Sequence, residues 1–209
     1  MSQVELEFRG PLEEDVNDFL NRCRKEASVS KIKHQLNMTI YPQGSLDIRI
    51  KFRDDQPYIV FKKTTESEDA CASEKMEVDK PISIEEVYRV IELYKLLDVE
   101  EAVVSGVENY HFQIDEFDFS IKIGSEIGNF WEIDTVYDEE AKDEDKAAVR
   151  NQMLDVIQKL GLTTWTQEEF KQANKNSRHN RITVAYSHEN EWKELITHID
   201  SHLKSSAQG

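Results

Sequence analysis

Charged and apolar residues alternate along several short stretches of this chain. The stretches QVELEFR at 3–9 and LDIRIKFR at 46–53 show the alternation most plainly. Because successive side chains of a strand point to opposite sides, the pattern predicts strands with one apolar and one charged face. Six further strands are predicted before the C-terminal segment, at 32–41, 58–63, 75–79, 102–114, 116–123 and 129–136.

Apolar residues recur every three or four positions between some of these strands, which is typical of amphipathic helices. The predicted helices cover 12–27, 84–97 and 138–160. Ser83 and Glu86 match a capping box at the start of the second helix, and Gly161 is placed to end the third. Residues 64–74 are predicted as a loop. Helices inserted between antiparallel strands indicate the α+β class.

The C-terminal segment is predicted as a short helix, a strand at 181–186 and a final helix near 189–204. We therefore divide the chain into a main domain at 1–162 and a helix–strand–helix extension at 163–209. The sequence leaves open whether the extension closes one end of the main domain, packs against it or mediates self-association as a homodimer.

The composition indicates a folded, acidic protein. The 209 residues include 42 acidic and 26 basic side chains, for a formal net charge of −16, with nine Phe, seven Tyr and three Trp. That aromatic content is too high for a disordered chain, and the length is sufficient for a core without disulfides. A net negative charge repels nucleic-acid polymers and anionic membranes, so we expect neither as a partner.

The two cysteines, Cys23 and Cys71, are predicted to be free thiols in a reducing compartment. No secretory signal is visible, and the apolar runs are far shorter than the ~20 residues that span a bilayer. We therefore expect a soluble cytoplasmic protein. The scattered histidines, His111 among them, predict no zinc site and are expected to have ordinary surface or core roles.

The negative charge is concentrated in the middle of the chain. Residues 66–145 hold 25 acidic and 6 basic side chains, a balance of −19. The other 129 residues therefore hold 17 acidic and 20 basic side chains, a balance of +3. The average charge does not exclude a small anionic ligand at a locally basic surface.

The charged faces of the strands carry the candidate chemistry. Three strands hold two carboxylates two residues apart, at Glu5 and Glu7, Glu77 and Asp79, and Glu132 and Asp134, while 46–53 holds cations at that spacing. Neighbouring carboxylates repel unless a cation lies between them, and Mg²⁺ or Mn²⁺ binds carboxylate oxygens and bridges phosphates. Arg and Lys on adjacent strands would bind those phosphates. The alternative for each strand is an ordinary solvated face.

Five stretches, in order, resemble the CYTH domain, the family of triphosphate tunnel metalloenzymes that includes class IV adenylyl cyclases, thiamine triphosphatase and inorganic triphosphatases. The stretch ELEFR at 5–9 is similar to the family's opening E-x-E-x-K. The family's L-R-I-R, T-L-K, R-x-E-x-E and G-x-F-x-E-I-E patterns resemble the stretches at 46–51, 60–62, 75–79 and 128–134. The resemblance covers residues 3–160.

The resemblance implies a closed eight-stranded antiparallel β-barrel, with charged faces lining a tunnel and helices packed outside. It implies that Mg²⁺ or Mn²⁺ is held by Glu5, Glu7, Glu132 and Asp134, with Glu77 and Asp79 able to hold a second ion or to organise the base of the site. It also implies phosphate binding by Arg9, Arg49, Lys51, Lys62 and Lys75. Arg9 and Lys62 are the candidate catalytic residues.

This chain departs from the family's pattern. The family's K-x-R pair, on the strand after the central helix, has no cationic counterpart at 102–110. Lys122 stands ten residues before Glu132, where an Asp is common. We expect Lys122 either to replace part of the missing charge, as a further phosphate-binding residue, or to pair with a neighbouring carboxylate. Four site positions exchange one residue for another of like charge: Arg9, Lys75, Asp79 and Asp134.

The resemblance leads to one leading hypothesis and two alternatives. The leading hypothesis is a metal-dependent hydrolase of a nucleoside, organic or inorganic triphosphate, such as ATP, thiamine triphosphate or tripolyphosphate. A class IV-type adenylyl cyclase would use the same parts to make cyclic AMP from ATP. A non-catalytic module would bind a triphosphate or nucleotide without turnover, and the lack of cations at 102–110 favours this third reading.

Overall fold

The computed structural model describes residues 3–43, 47–64, 71–176, 182–185 and 192–207. Within these ranges the chain forms nine strands and five helices. The strands are β1 (Gln3–Pro11), β2 (Lys33–Pro42), β3 (Ile48–Arg53), β4 (Gln56–Thr64), β5 (Ala72–Pro81), β6 (Glu101–Ile114), β7 (Phe117–Ile123), β8 (Phe130–Asp138) and β9 (Ile182–Ala185). The helices are α1 (Val16–Glu26), α2 (Ile84–Leu96), α3 (Asp143–Lys159), α4 (Gln167–Asn176) and α5 (Lys193–Ser206).

The strands form an antiparallel sheet in the hydrogen-bonding order β2-β3-β4-β5-β1-β8-β7-β6-β9, and β2 also pairs with β6. The helices occur at intervals without a regular βαβ repeat, so the predicted α+β class is confirmed. The closed eight-stranded barrel is not confirmed. The described sheet has a ninth strand, because β9 of the C-terminal segment pairs with β6, with Glu101 opposite Ala185 and Val104 opposite Ile182.

The chain divides into two compact units. Unit 1 comprises Met1–His34, Lys63–Glu77 and Asn109–Ser177, and unit 2 comprises Gln35–Lys62, Val78–Glu108 and Arg178–Gly209. The predicted domain boundary after residue 162 stays a prediction.

The apolar side of the sheet in unit 1 is covered by α1 and α3. Phe8 of β1, Phe119 of β7 and Trp131 of β8 are fully buried, and they share a core with Phe19 of α1 and Met153 of α3. The rings of Phe119 and Trp131 are stacked with centroids 5.9 Å apart. Burial of each such side chain contributes about 1.5–3 kcal/mol. This core fixes which side of each strand is apolar, so the charged residues of β1, β7 and β8 face the other way.

The second core, in unit 2, lies between the sheet and helices α2 and α5. Ile40 of β2, Ile50 and Phe52 of β3, Tyr94 of α2 and Trp192 before α5 are all buried there. Helix α2 begins as the sequence predicts, because the Ser83 hydroxyl accepts a hydrogen bond from the Glu86 N–H at 3.2 Å and the Glu86 carboxylate accepts one from the Ser83 N–H at 2.7 Å. This reciprocal bonding confirms the capping box.

Several helices and strands begin at residues other than the predicted ones. Helix α1 begins at Val16 rather than at residue 12, because Asp15 caps it and accepts a hydrogen bond from the Asn17 N–H at 2.8 Å. Helix α3 begins at Asp143 rather than at 138, because β8 continues to Asp138. Strand β5 begins at Ala72, inside the predicted loop 64–74, of which 65–70 lie outside the described residues.

The β3–β4 hairpin has a two-residue turn at Asp54 and Asp55, shorter than the gap at 54–57 that separates the two predicted strands. Asp54 adopts a left-handed conformation with φ 55°, and its carboxylate accepts a hydrogen bond from the Leu36 N–H at 2.8 Å. Asp tolerates this conformation better than most residues, so the sequence places the turn here and holds the register of β3.

None of the described helices is both long and apolar enough to cross a membrane.

Gly10 gives a test of the close packing in unit 1. A Cβ atom at Gly10 would lie 1.8 Å from the Thr163 carbonyl oxygen and 2.8 Å from the Trp131 ring. Because a backbone atom must move, we expect Gly10→Ala to lower the free energy of unfolding by about 1–3 kcal/mol. Urea unfolding followed by circular dichroism measures the change. Gly106→Ala is the control, since a Cβ there meets nothing within 4 Å. Equal unfolding free energies for the two variants would contradict the packing described.

Candidate functional site

The charged side of unit 1 is built from β1, β8 and β7, which pair in register. Glu7 lies opposite Asp134, and Asp134 lies opposite Asp118 on the next strand. Arg9 lies opposite Glu132 in the adjacent row. Residues directly opposite each other share a face of the sheet. The structure therefore brings the predicted carboxylates of β1 and β8 onto one surface, called here the carboxylate face and comprising Glu5, Glu7, Arg9, Asp118, Lys122, Glu132 and Asp134.

Arg9 and Glu7 form an ion pair at one part of this face. Their side chains are 10% and 7% exposed. The Arg9 guanidinium also lies 3.9 Å from the centroid of the Phe170 ring on α4. The segment that leads into α4 is held beside β1, because the Trp165 N–H donates a hydrogen bond to the Arg9 carbonyl at 2.8 Å. Arg9 is thus held in place by a carboxylate and an aromatic ring, and little of it is open to solvent.

Lys122 pairs with Glu132, which was one of the two outcomes expected from the sequence. Their side chains are 22% and 14% exposed. Lys122 lies directly opposite Phe130 on β8, and its Nζ lies 5.2 Å from the centroid of that ring. The diagonal across the antiparallel pair brings the ammonium back to Glu132.

Asp118 of the carboxylate face, and His111 beside it, were not among the predicted site residues. The His111 Nε2 lies 3.7 Å from an Asp118 carboxylate oxygen, with both side chains about half exposed at 40% and 45%. The sequence shows Asp118 as a charged strand residue, but only the β7–β8 register puts it opposite Asp134. His111 stands on β6 just after the stretch 102–110 that lacks cations.

Strand β5 continues the sheet beside β1, where Lys75 lies opposite Glu5 in the backbone register. The side chain of Lys75 lies outside the described residues. Glu77, two residues further along β5, is half-buried in unit 1. Asp79 belongs to unit 2, where it is exposed and pairs with Arg53 at 2.6 Å. Asp79 is thus paired with an arginine of its own unit.

The second charged surface lies in unit 2 and is cationic. Arg49 and Lys51 alternate with the buried Ile50 and Phe52 of β3, so both cations share the face away from the core. Lys62 of β4 joins them, because its N–H bonds the Asp47 carbonyl at 3.0 Å beside the start of β3. Arg49, Lys51 and Lys62 are all half-buried. We call these three residues the cationic face.

Neighbouring groups orient the arginines of β3. The Arg49 guanidinium donates to Asp47, with Nη2 2.7 Å from Oδ2, and lies 4.8 Å from the centroid of the Tyr41 ring. Arg53 lies 4.3 Å from the centroid of the Tyr58 ring. An arginine held by a carboxylate and an aromatic ring loses less freedom when an anion binds, which favours binding.

Tyr94 anchors this part of β3 to α2. Its hydroxyl donates a hydrogen bond to the Ile48 carbonyl at 2.9 Å. Burial, and to a lesser degree the nearby Asp47 carboxylate, raise the pKa of Tyr94 well above its ordinary value. The hydroxyl therefore stays protonated and keeps the start of β3 fixed beside the cationic face.

The carboxylates do not fit the predicted metal in this arrangement. In the part of the chain that the structure describes, no group of three or more His, Cys, Asp or Glu side chains is arranged to hold a metal ion. Two of the four predicted principal ligands, Glu7 and Glu132, form ion pairs with Arg9 and Lys122. A metal would therefore have to displace protein cations from its own ligands.

Comparison with known proteins shows a likeness in fold. No protein-family model matches the chain, and no curated protein matches its sequence. A candidate adenylate cyclase from Vibrio parahaemolyticus is 14% identical with a TM-score of 0.61, covering 84% of this chain and 99% of its own. A candidate adenylyl cyclase from Hippeastrum with a dominant triphosphatase activity is 15% identical with a TM-score of 0.54, covering 83% and 96%.

A third solved structure also matches this chain in fold. A chain in the Mediator head module of Schizosaccharomyces pombe is 11% identical with a TM-score of 0.52, covering 77% of this chain and 95% of its own. At such identities these likenesses show the fold alone. Membership of the CYTH family stays a prediction, as do the homodimer and the cytoplasmic location.

The Arg9–Glu7 pair gives a test of the carboxylate face. Replacing Glu7 by Gln removes the carboxylate and leaves the Arg9 charge buried, which costs about 3–5 kcal/mol of unfolding free energy. Glu85→Gln is the matched control, because the Glu85–Arg89 pair is 77% and 72% exposed and such pairs contribute ~0–1 kcal/mol. Urea unfolding measures both. A loss at Glu7 no larger than that at Glu85 would contradict a buried ion pair.

Proposed function

We propose that this protein binds a small triphosphate through the cationic face of unit 2 and hydrolyses its terminal phosphoanhydride bond. The observation that carries the proposal is the set of three half-buried cations, Arg49, Lys51 and Lys62, on one side of the β3–β4 hairpin. Partial burial reduces screening by water and salt, so these charges attract an anion more strongly than fully exposed ones.

The hairpin also gives the cations a defined spacing. Lys51 lies opposite Tyr58 and Arg49 lies opposite Val60, and Val60 is only 1% exposed. The cations are thus carried by a strand with a fixed register rather than by a loop. A chain of phosphates presents several anionic oxygens in a row, and Arg and Lys are the residues that bind them.

Hydrolysis would take place on the bound triphosphate. Water attacks the terminal phosphorus, the bond to the bridging oxygen breaks, and diphosphate and phosphate leave. Charge on the phosphate oxygens is the main quantity that a protein stabilises in such a reaction. Arg49, Lys51 and Lys62 would hold those oxygens, and Lys62 stays the candidate catalytic residue of this unit. Arg9, the other candidate, stays a prediction, since only 10% of its side chain is exposed, against 26% for Arg49.

The fold neighbours support an enzyme. The proteins from Vibrio parahaemolyticus and Hippeastrum are candidate cyclases, and the latter has a dominant triphosphatase activity. The predicted Mg²⁺ or Mn²⁺ stays a prediction, and no step here depends on it, because Glu7 and Glu132, two of its four predicted principal ligands, are paired with cations.

Adenylyl cyclisation is the alternative within the same class of chemistry. The ribose 3′-hydroxyl of ATP would attack the α-phosphorus and release diphosphate, and the same cations would bind the departing phosphates. The identity of the products separates it from hydrolysis.

A binding module without turnover is the alternative outside catalysis. Strand β6 has no Lys or Arg from Ala102 to Tyr110, which leaves fewer cations than the family pattern provides. A chain of similar fold also occurs in the Mediator head module of Schizosaccharomyces pombe. These two observations favour binding over turnover as the second candidate.

The test is binding and product analysis with tripolyphosphate, ATP and thiamine triphosphate. We expect Arg49→Gln and Lys51→Gln each to weaken tripolyphosphate binding by about tenfold or more, because a hydrogen bond to a charged group contributes about 1.5–3 kcal/mol. Calorimetric titration measures the affinity. Arg89→Gln is the matched control, since Arg89 is an exposed arginine of the same unit, on α2.

The products decide among the three functions. Phosphate with diphosphate from tripolyphosphate supports hydrolysis, cyclic AMP with diphosphate from ATP supports the cyclase, and binding without product supports the module. If none of the three compounds binds or reacts, with or without Mg²⁺ or Mn²⁺, the proposed function is wrong.

A further inference from the structure

Carboxylates crowd the carboxylate face of unit 1. Glu7, Asp134 and Asp118 lie in one row across three neighbouring strands. Like charges directly opposite each other on a sheet destabilise it. Glu132 adds a fourth carboxylate, two residues before Asp134. The folded state therefore needs positive charge on this surface.

The chain itself supplies that positive charge. Arg9 pairs with Glu7, and Lys122 pairs with Glu132. Lys122 is a departure from the family pattern, in which an Asp is common at this position. It lies on β7 and reaches diagonally across to Glu132, a predicted metal ligand. Its ammonium is largely withdrawn from solvent and lies near the Phe130 ring. These contacts hold the cation in place against Glu132.

We propose that Lys122 is a resident cation that takes the place of a divalent metal ion on the carboxylate face. A metal that bound Glu132 would break its ion pair with Lys122. The ammonium would then lie near a metal ion of like charge and without its carboxylate, which disfavours the exchange. Divalent cations therefore bind this face weakly, and the face needs none to stay folded.

A second consequence rests on the proposed function. If the cationic face binds a triphosphate, that binding does not require a divalent metal, because Glu7 and Glu132, two of the four carboxylates that would recruit the metal, are already paired with cations. Tripolyphosphate should bind with similar affinity in EDTA and in Mg²⁺.

The direct test is Mn²⁺ binding to the protein without phosphate. Calorimetric titration and the electron paramagnetic resonance signal of free Mn²⁺ both measure the affinity. Lys122→Asp removes the resident cation and restores a carboxylate at this position. We expect Lys122→Asp to bind Mn²⁺ at least about tenfold more tightly than the unmodified protein, because opposite charges close to a site favour the ion and like charges oppose it.

Lys63→Asp is the matched control. Lys63 belongs to unit 1, is exposed, and follows Lys62 on β4, so the variant makes the same change in net charge away from the carboxylate face. Circular dichroism establishes that each variant is folded. If Lys122→Asp does not fold, Lys122→Gln removes the cation without adding a carboxylate, and it should still tighten Mn²⁺ binding by about threefold or more.

The outcomes separate the inference from the proposed function. Tighter Mn²⁺ binding on loss of Lys122, with no change in Lys63→Asp, supports the inference. Unchanged Mn²⁺ affinity in the folded Lys122 variants overturns it, as does tripolyphosphate binding that appears only with Mg²⁺ or Mn²⁺. If tripolyphosphate binds under no condition, the proposed function fails, while the Mn²⁺ titration still decides the role of Lys122.

Discussion

The two-residue alternation of charged and apolar side chains is the constraint on which the rest of this molecule depends. On β1, β7 and β8 it buries Phe8, Phe119 and Trp131 beneath α1 and α3. It also forces carboxylates of adjacent strands to face one another. The stability of the core thus comes with a concentration of negative charge on the opposite side. Cations on the same surface must offset that charge.

Each unit meets this requirement with its own residues. Unit 1 places Arg9 and Lys122 against Glu7 and Glu132. In unit 2 the balance is reversed locally on the β3–β4 hairpin, where Arg49, Lys51 and Lys62 share one face and Asp47 lies beside Arg49. An excess of positive charge on a hairpin of fixed register suits a phosphate chain, whereas a carboxylate surface that holds Arg9 and Lys122 has less need of a metal. The local charge balance of the cationic face and of the carboxylate face therefore carries both the proposed function and the role assigned to Lys122.

Much of the fold could be predicted from the sequence, because strand faces and the Ser83 capping box are local patterns. Long-range features could not. Asp118 joins the carboxylate face only through the β7–β8 register, and the sequence allowed Lys122 either to replace missing charge or to pair with a carboxylate. Helix α1 begins at Val16 and not at the predicted residue 12, because Asp15 caps its N-terminus. The ninth strand matches the strand predicted at 181–186, but its four-residue pairing with β6 is a long-range contact that no local pattern indicates.

The central claim is that cations fixed on the β3–β4 hairpin bind the triphosphate without help from a metal. A crystal structure of the protein grown with tripolyphosphate in the presence of EDTA tests it most directly. We expect the phosphates to lie within hydrogen-bond distance of Arg49, Lys51 and Lys62, with the Lys122–Glu132 ion pair intact. Phosphates bound away from these three side chains would contradict the claim.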